Sequence, residues 1–586
     1  MIKVLRYLKK KEWFQVIICV LFVIAQVWLD LKLPDYMSEI TMLVQTDGSS
    51  MSDIWNAGGY MLLCAFGSLI ASIIIGYFAA RLAAILSGRL REGLYDKVEA
   101  FSMEEIGRFS TSSLITRSTN DITQVQTLVA MGLQVMIKAP IMAVWAIIKI
   151  SGKSWQWSAA TGGAVLSLIM LVSVLIVFAL PKFKIVQQLT DNLNRITREN
   201  LTGVRVVRAY HAEEYQETKF GHANEEMTKT NLFTNRIMAI MMPGMSLIMN
   251  GLTLAIYWIG AYLINDADVT KRFTLFSDMV VYSSYAMQVV MAFMMLVMIF
   301  LMLPRAAVSA KRINEVLDTQ AKIKDGTLDN KPWVMGEVEF KNVSFQYPGA
   351  AEYVLKEISF KANSGETVAF IGSTGSGKST LINLIPRFYD VTEGQVLIDG
   401  VDVKEYKLKD LHDKIGYVPQ KAVIFSGDIT SNVAFGNNGR RKATEEDIEN
   451  AVITAQAKDF VEKLPEGYKA PISQGGANLS GGQKQRLAIA RAICRQPEFF
   501  IFDDSFSALD YKTDKELRAQ LAAQTLGSTT FIVAQRIGTI RNADQIIVLD
   551  EGNVVGIGKH EELLKNCKVY REIAYSQLSK EELGDE

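Results

Sequence analysis

Gly372-Ser373-Thr374-Gly375-Ser376-Gly377-Lys378-Ser379-Thr380 decides how the second half of this 586-residue chain is read. The stretch fits G-x-x-x-x-G-K-[ST], a loop that cradles the phosphates of a nucleoside triphosphate. It follows the apolar run Thr367-Val368-Ala369-Phe370-Ile371, which predicts a buried strand. It precedes Leu381-Ile382-Asn383-Leu384-Ile385, which predicts the first turns of a helix. The glycines let the backbone curl until its N–H groups converge on phosphate oxygens, and the helix N-terminus adds partial positive charge. Lys378 is expected to reach the β- and γ-phosphates, and the Ser379 hydroxyl to ligate Mg²⁺.

Working outward, Phe499-Phe500-Ile501-Phe502-Asp503 reads as an apolar strand ending in an acid, with Asp503 placed to hold Mg²⁺ directly or through water. Leu479-Ser480-Gly481-Gly482-Gln483 opens a second helix whose N-terminus also suits phosphate. One nucleotide needs one such cradle, so the second points to a nucleotide held by another chain. Gln420 follows a strand and is a candidate contact for Mg²⁺ or water. Tyr347 is a candidate to stack on adenine, although a packed tyrosine is its default reading. Strands and helices alternate from about residue 333 to 578, which predicts an α/β domain.

The first half is different. A mean hydropathy of +0.15 alongside 21% charged residues means that apolar and charged residues are segregated along the chain. Six apolar stretches are long enough to span a bilayer: Trp13–Leu29, Tyr60–Ala80, Leu128–Ile150, Trp157–Leu180, Ile237–Leu263 and Met279–Leu303. The first is too long for a signal peptide. The second and fourth loops are rich in Arg and Lys, so they and both termini are expected on the cytoplasmic side. Within those loops, Ser110–Asn120 and the amphipathic stretch Leu201–Tyr210 are candidate docking elements, or merely solvated hairpin tips. Lys138 lies inside the third span, and Met287, Met291, Met294, Met295, Met298 and Met302 recur at helical spacing in the sixth. Arg305–Lys331 is polar with a helical pattern. Lys+Arg and Asp+Glu both number 62, which gives no support to a nucleic-acid partner. The four cysteines show neither metal-ligand nor disulfide spacing.

Taken together, the loop at 372–380, the signature Leu479–Gln483, Asp503 and the following Ser507-Ala508-Leu509-Asp510 resemble the ATP-binding-cassette (ABC) exporters over essentially the whole chain. The resemblance implies six transmembrane helices (residues 1–310), a linker (311–332), an α/β P-loop ATPase domain of ABC type (333–578) and a short tail (579–586). It implies ATP and Mg²⁺ as ligands and the plasma membrane as location. It also implies a second half-transporter as partner, so that each phosphate loop faces the opposite chain's signature. Ser110–Asn120 and Leu201–Tyr210 would then be the coupling helices.

Two positions depart from the family pattern. Asp504 stands where active members carry the general-base Glu, and Gln535 stands where they carry a His; a weaker departure is Gln474, where Glu is common. A general base must come within about 3 Å of the attacking water. Asp504 is one methylene short, and misplacement by ~1 Å can cost about a hundredfold. Gln535 donates a hydrogen bond but carries no proton as imidazole does. The pair therefore resembles the degenerate-site subunit of heterodimeric bacterial multidrug exporters. On that resemblance this chain's own ATP site is slow, its signature completes the partner's competent site, and the substrate is an amphipathic compound. The alternatives are a homodimeric lipid or peptide exporter with slow hydrolysis, and a non-pumping, ATP-gated membrane protein.

Overall fold

The computed structural model describes residues 2–578 apart from 47–48, 152–153, 329–334, 437–440 and 526. The tail at 579–586 and part of the linker therefore lie outside the described residues. The chain divides into two compact units, one of residues 1–99 and 111–319, the other of residues 100–110 and 320–586.

The first unit is helical: α1 (Lys10–Gln45), α2 (Met51–Glu99), α4 (Thr111–Thr116), α5 (Ile122–Ser151), α6 (Trp155–Thr202), α7 (Val204–Ala209), α8 (Glu213–Ala239), α9 (Met241–Asn265) and α10 (Val269–Asp318). The label α3 belongs to Met103–Arg108, in the second unit. Six helical stretches among the described residues are long and apolar enough to cross a membrane, one for each stretch read from the sequence. Helices are the form expected there, because hydrocarbon offers backbone N–H and C=O groups no water to bond. The helices run well beyond the apolar stretches, to 36–53 residues. The polar segments that hydropathy leaves out simply continue the same helices.

Packing selects which side chains face inward. Trp157, Tyr282, Tyr285, Ile256 and Val290 sit in the unit's core, and the Trp157 indole donates to the Ile256 carbonyl at 3.1 Å. A Cβ at Gly260 would collide with the Met279 side chain as it now lies, so the methionine packs directly on this glycine. Met279 of α10 is buried, whereas the methionines recurring from Met287 to Met302 avoid the fully buried face: Met291 and Met298 are exposed and Met287, Met294, Met295 and Met302 half-buried. Lys138 is paired: its Nζ lies 3.0 Å from Asp30 Oδ2, and Ser68 donates to the other Asp30 oxygen at 2.5 Å. Lys149 makes a second pair, 2.7 Å from Asp35, whose carboxylate also accepts from the Tyr285 hydroxyl. Each charge inside the apolar region thus meets its opposite, which offsets the cost of burying it.

Two expectations about the polar segments are corrected. The helical pattern read through Lys331 stops at Asp318, where α10 ends; Arg312 and Glu315 lie on its last turns and pair with Asp121 and Arg117. Ser110–Asn120 is not a separate docking helix. It forms α4 and a π turn (Arg117–Asp121) that run straight into α5 within the helical unit. The piece of this loop that packs in the second unit is α3 with its flanks. There Phe101 stacks on Phe109, and buried Glu105 accepts from the Lys322 backbone N–H at 3.1 Å. The sequence signal was a capping box, Ser102 with Glu105, which starts a helix at residue 103.

The second unit is α/β. Strands β1 (Val338–Phe345), β2 (Leu355–Ala362) and β4 (Glu393–Ile398) form an antiparallel sheet with the short strand Val401–Asp402. A six-stranded sheet has the order β9-β8-β3-β7-β6-β5, from β3 (Thr367–Gly372), β5 (Ile415–Val418), β6 (Phe499–Asp503), β7 (Thr529–Val533), β8 (Gln545–Asp550) and β9 (Asn553–Gly558). All its pairings are parallel except β8 with β9. Buried on both faces, β6 and β7 read as continuous apolar or β-branched runs rather than alternating ones. Helices α11 (Lys378–Leu384), α12 (Gly481–Cys494), α13 (Tyr511–Gln524), α14 (His560–Asn566) and α15 (Lys568–Gln577) complete the elements used below.

An ion-pair triad locks the far edge of this unit. Lys414, just before β5, lies 2.6 Å from both Asp399 and Glu498, and the same two carboxylates accept from the Gly336 N–H. Replacing Lys414 by Met leaves two buried carboxylates facing each other. Lys414→Met should therefore destabilise the unit by about 3–5 kcal/mol. A lowered unfolding midpoint of the full-length protein in detergent is the expected readout, and an unchanged midpoint would show that the triad contributes nothing net.

Candidate nucleotide site

Parallel pairing brings four strand ends to one edge. The β5–β6 register aligns Val418 with Phe502, β6–β7 aligns Asp503 with Val533, and β7–β3 aligns Val533 with Phe370. The residues that follow each strand, Gln420, Asp503 and Asp504, Gln535, and the loop at 372–377, therefore emerge side by side. Two backbone bonds stitch the edge: Asp504 N–H to Val533 O at 3.0 Å and Ala534 N–H to Phe370 O at 3.2 Å.

The loop has the expected form. Gly372, Gly375 and Gly377 all have positive φ, and Gly377 (φ 96°) caps α11, where a Cβ would stand 2.7 Å from Leu355 Cδ2. Ser373, Thr374 and Gly375 are exposed, while Ser376, Gly377 and Thr380 are buried beneath them. The Lys378 ammonium folds back onto the loop, donating to Gly372 O (2.9 Å), Ser373 O (2.7 Å) and Ser376 Oγ (3.3 Å). Ser379 Oγ donates to Asp503 Oδ1 at 2.8 Å. A hydroxyl and a carboxylate from two different elements meeting at the loop's base form an all-oxygen pair suited to Mg²⁺. The residues present thus fit both a triphosphate and its magnesium ion, which supplies charge neutralisation when bound.

The two departing residues come together with the third candidate. Gln535 Nε2 donates to Asp504 Oδ2 at 2.9 Å, and Gln420 Nε2 reaches the same oxygen at 3.4 Å. Asp504 is 8% exposed and holds a left-handed φ of 45°. Burial pushes the Asp503 and Asp504 carboxyls above the usual carboxylate range, with hydrogen bonds from Ser379 and Gln420 respectively pulling the other way. Burial also lowers the Lys378 ammonium, against the pull of the two aspartates.

Tyr347 is half-buried. Its hydroxyl bonds Thr380 Oγ1 at 3.0 Å, and its ring meets Phe345 and Tyr389 edge to face. The tyrosine's default packing role is thus real, whatever its ring also does for a base. The signature residues stand at the head of α12. Ser480 caps the helix, and Gln483 is committed to that cap, its Oε1 accepting from Ser480 N–H at 2.8 Å. Leu479 is buried, whereas Ser480 and Gly481 are exposed. Among the described residues no hydrogen bond joins Leu479–Gln483 to the loop at 372–380. Sequence reading missed Gln577, on α15, whose side-chain amide grips the Gln535 carbonyl and the Ile537 N–H on either side of Arg536; no motif marks it.

This geometry is that of a P-loop ATPase fused to a bundle of membrane-spanning helices. Comparisons with known proteins agree. Residues 16–293 match the model of the ABC transporter transmembrane region, and residues 355–507 match the ABC transporter model. An uncharacterized ABC transporter ATP-binding protein of Mycobacterium tuberculosis (strain ATCC 25618 / H37Rv) is 39% identical over 92% of this chain and 93% of its own length. The ATP-dependent lipid A-core flippase of Pseudomonas aeruginosa is 32% identical over 86% of this chain and 82% of its own. A solved bacterial Atm1-family ABC exporter with ATP bound shares the fold, with a TM-score of 0.78 and 24% identity over 96% of this chain and 98% of its own. The chain belongs to the ABC transporter family. It is an ABC transporter chain in which a membrane domain and an ATPase domain are fused.

Two predictions follow from the geometry. Gly377→Ala should weaken ATP binding at least tenfold, since the added Cβ meets both the left-handed φ and Leu355; equilibrium binding of a fluorescent ATP analogue tests this. Because Asp503 holds its proton to a higher pH than an exposed aspartate, and Mg²⁺ needs the ionised form, acidification should weaken Mg²⁺-dependent ATP binding early. The onset should lie above the ordinary aspartate range near about 3.9, and an onset at or below it would contradict the burial argument.

Proposed function

We propose that this chain is the slow-site subunit of a heterodimeric exporter of amphipathic compounds. The observation that carries the reading is the Gln420–Asp504–Gln535 cluster. Its shortened carboxylate is held by two amide donors, where hydrolysis calls for a free base near the attacking water. The raised proton affinity of Asp504 suits a general base. Its reach does not, because the side chain is tied back toward Gln535 and Gln420. The site therefore binds ATP through the intact loop and turns it over slowly, acting as a clasp.

The signature is complete and its Ser480 is exposed, so it serves a nucleotide on the partner, whose loop, glutamate and histidine form the competent site. Leu201, Val204, Val206 and Tyr210, on and around α7, are exposed apolar residues that suit docking on a partner's ATPase domain. ATP binding closes the two ATPase domains, hydrolysis at the competent site resets them, and these loops carry the change to the membrane helices. Both termini lie in the cytoplasm, as the charge asymmetry of the loops argues. The half-exposed methionine face of α10 suits varied apolar ligands, since thioether side chains adapt their shape. This is the support for a multidrug-type substrate; a lipid, as handled by the related lipid A-core flippase, is the second reading.

The test is a comparison of variants in the assembled complex. Ser480→Arg should abolish most steady-state ATPase activity, because it blocks the partner's site, whereas Asp504→Asn should change it less than twofold. Restoring the family residues with Asp504→Glu and Gln535→His should raise hydrolysis at this chain's site by about a hundredfold. Loss of activity in Asp504→Asn would make Asp504 the working base, and full activity in Ser480→Arg would mean that this signature completes no competent site; either overturns the assignment.

A further inference from the structure

The loop carrying Gln535 is held from outside the nucleotide site. Gln577, at the end of α15, makes two hydrogen bonds with one side chain. Its Nε2 donates to the Gln535 carbonyl at 2.7 Å, and its Oε1 accepts from the Ile537 N–H at 2.8 Å. The two backbone groups flank Arg536, so the amide bridges the turn that presents Gln535. From the other side, Arg518 of α13 donates to the Gly538 carbonyl at 2.9 Å, and its guanidinium is itself held by Asp514. α15 is a firm base for the grip. Tyr570 and Ala574 are fully buried, and the Tyr570 hydroxyl lies 2.7 Å from His560 Nδ1.

We infer that Gln577 is a positioning residue for the nucleotide site: it sets the backbone of the Gln535 turn, and through it the Gln535–Asp504 contact. The physical case is the fit of the amide. A donor and an acceptor on one planar group meet a carbonyl and an N–H two residues apart, and neither lysine nor glutamate satisfies both. A shift of the turn by ~1 Å would take Gln535 Nε2 out of hydrogen-bond range of Asp504. The clamp also gives the C-terminal helix a say in the site, although α15 contributes nothing to the phosphate loop. The inference rests on the proposed function, in which the Gln420–Asp504–Gln535 cluster borders the nucleotide held by this chain.

The experiment is a double-mutant cycle in the purified, assembled complex. Gln577→Ala and Gln577→Glu are each made in the wild-type and in the Gln535→Ala backgrounds, with Ser576→Ala as a neighbouring control. Radiolabelled ATP is loaded with Mg²⁺ and diluted into unlabelled ATP. The nucleotide retained on this chain is then followed in time and identified as ATP or ADP. The clamp predicts that both Gln577 variants speed release from this chain's site by about tenfold, and by less than twofold once Gln535 is Ala, because they act through that residue. Gln577→Glu keeps the side-chain length and the Ile537 contact but sets a carboxylate oxygen against the Gln535 carbonyl, so its effect reports on that bond. Equal acceleration in both backgrounds would mean a general loosening of the fold, and no acceleration in the wild-type background would mean an idle contact; either overturns the inference. Rapid appearance of ADP on the wild-type chain would instead refute the slow-site reading. The cycle would still be read, as the rate at which label leaves this chain in each background.

Discussion

Parallel pairing of β3, β7, β6 and β5 is the constraint on which the site depends. A parallel sheet points every strand the same way, so the loops leaving its carboxyl ends collect at one edge. Residues as far apart as Lys378, Gln420, Asp503 and Gln535 become neighbours without any long side chain reaching across. The register leaves no slack, for Asp503 pairs with Val533 and Val533 with Phe370. A slip of one residue would turn Asp503 to the opposite face of the sheet and break its bond with Ser379. The apolar burial of β6 and β7 enforces that register, so the chemistry at the edge is fixed by packing some residues behind it.

The same burial sets the electrical character of the site. Asp503 and Asp504 are side by side with little water and one nearby ammonium, Lys378, whose own hydrogen bonds go to the loop. Adjacent carboxylates so placed hold protons more tightly than in water, and a divalent cation relieves them. A base at position 504 would act on water only if it projected past this ring. Asp504 instead lies in a left-handed turn with its carboxylate bound by Gln535 and Gln420. The two departures from the family pattern are one feature in space, since the residue in the histidine position donates to the residue in the glutamate position. On the proposed function, binding and hydrolysis are thereby separated: the loop, Ser379 and Asp503 would serve the first, and the altered cluster would weaken the second.

Much of this was legible in the sequence. Apolar runs of bilayer length marked the six spanning helices, and the loop motif in its strand–helix setting marked the edge of the sheet. Local motifs carry such information because their chemistry is local. What escaped reading was non-local or unpatterned. Hydropathy could not show that the helices extend through their charged segments, because exposed helix and loop share the same composition. Ser110–Asn120 reads as a polar tip, yet residues 111–116 form α4 and 117–121 a π turn that leads into α5. Lys138 reads as a lone charge in the membrane, but its partner Asp30 comes from another helix, and Ser68, which donates to that carboxylate, from a third. Gln577 carries no motif at all, and its role depends on where α15 ends.

The central claim is that this chain works with a different chain, which supplies the base and histidine that Asp504 and Gln535 replace. It is tested most directly by gentle detergent purification of the tagged chain from its native membrane, with mass spectrometry of what co-purifies. The account predicts a second ABC half-transporter in equal amount, carrying Glu and His at the corresponding positions. A dimer of this chain alone, with ATPase activity that disappears in Asp504→Asn, would contradict it.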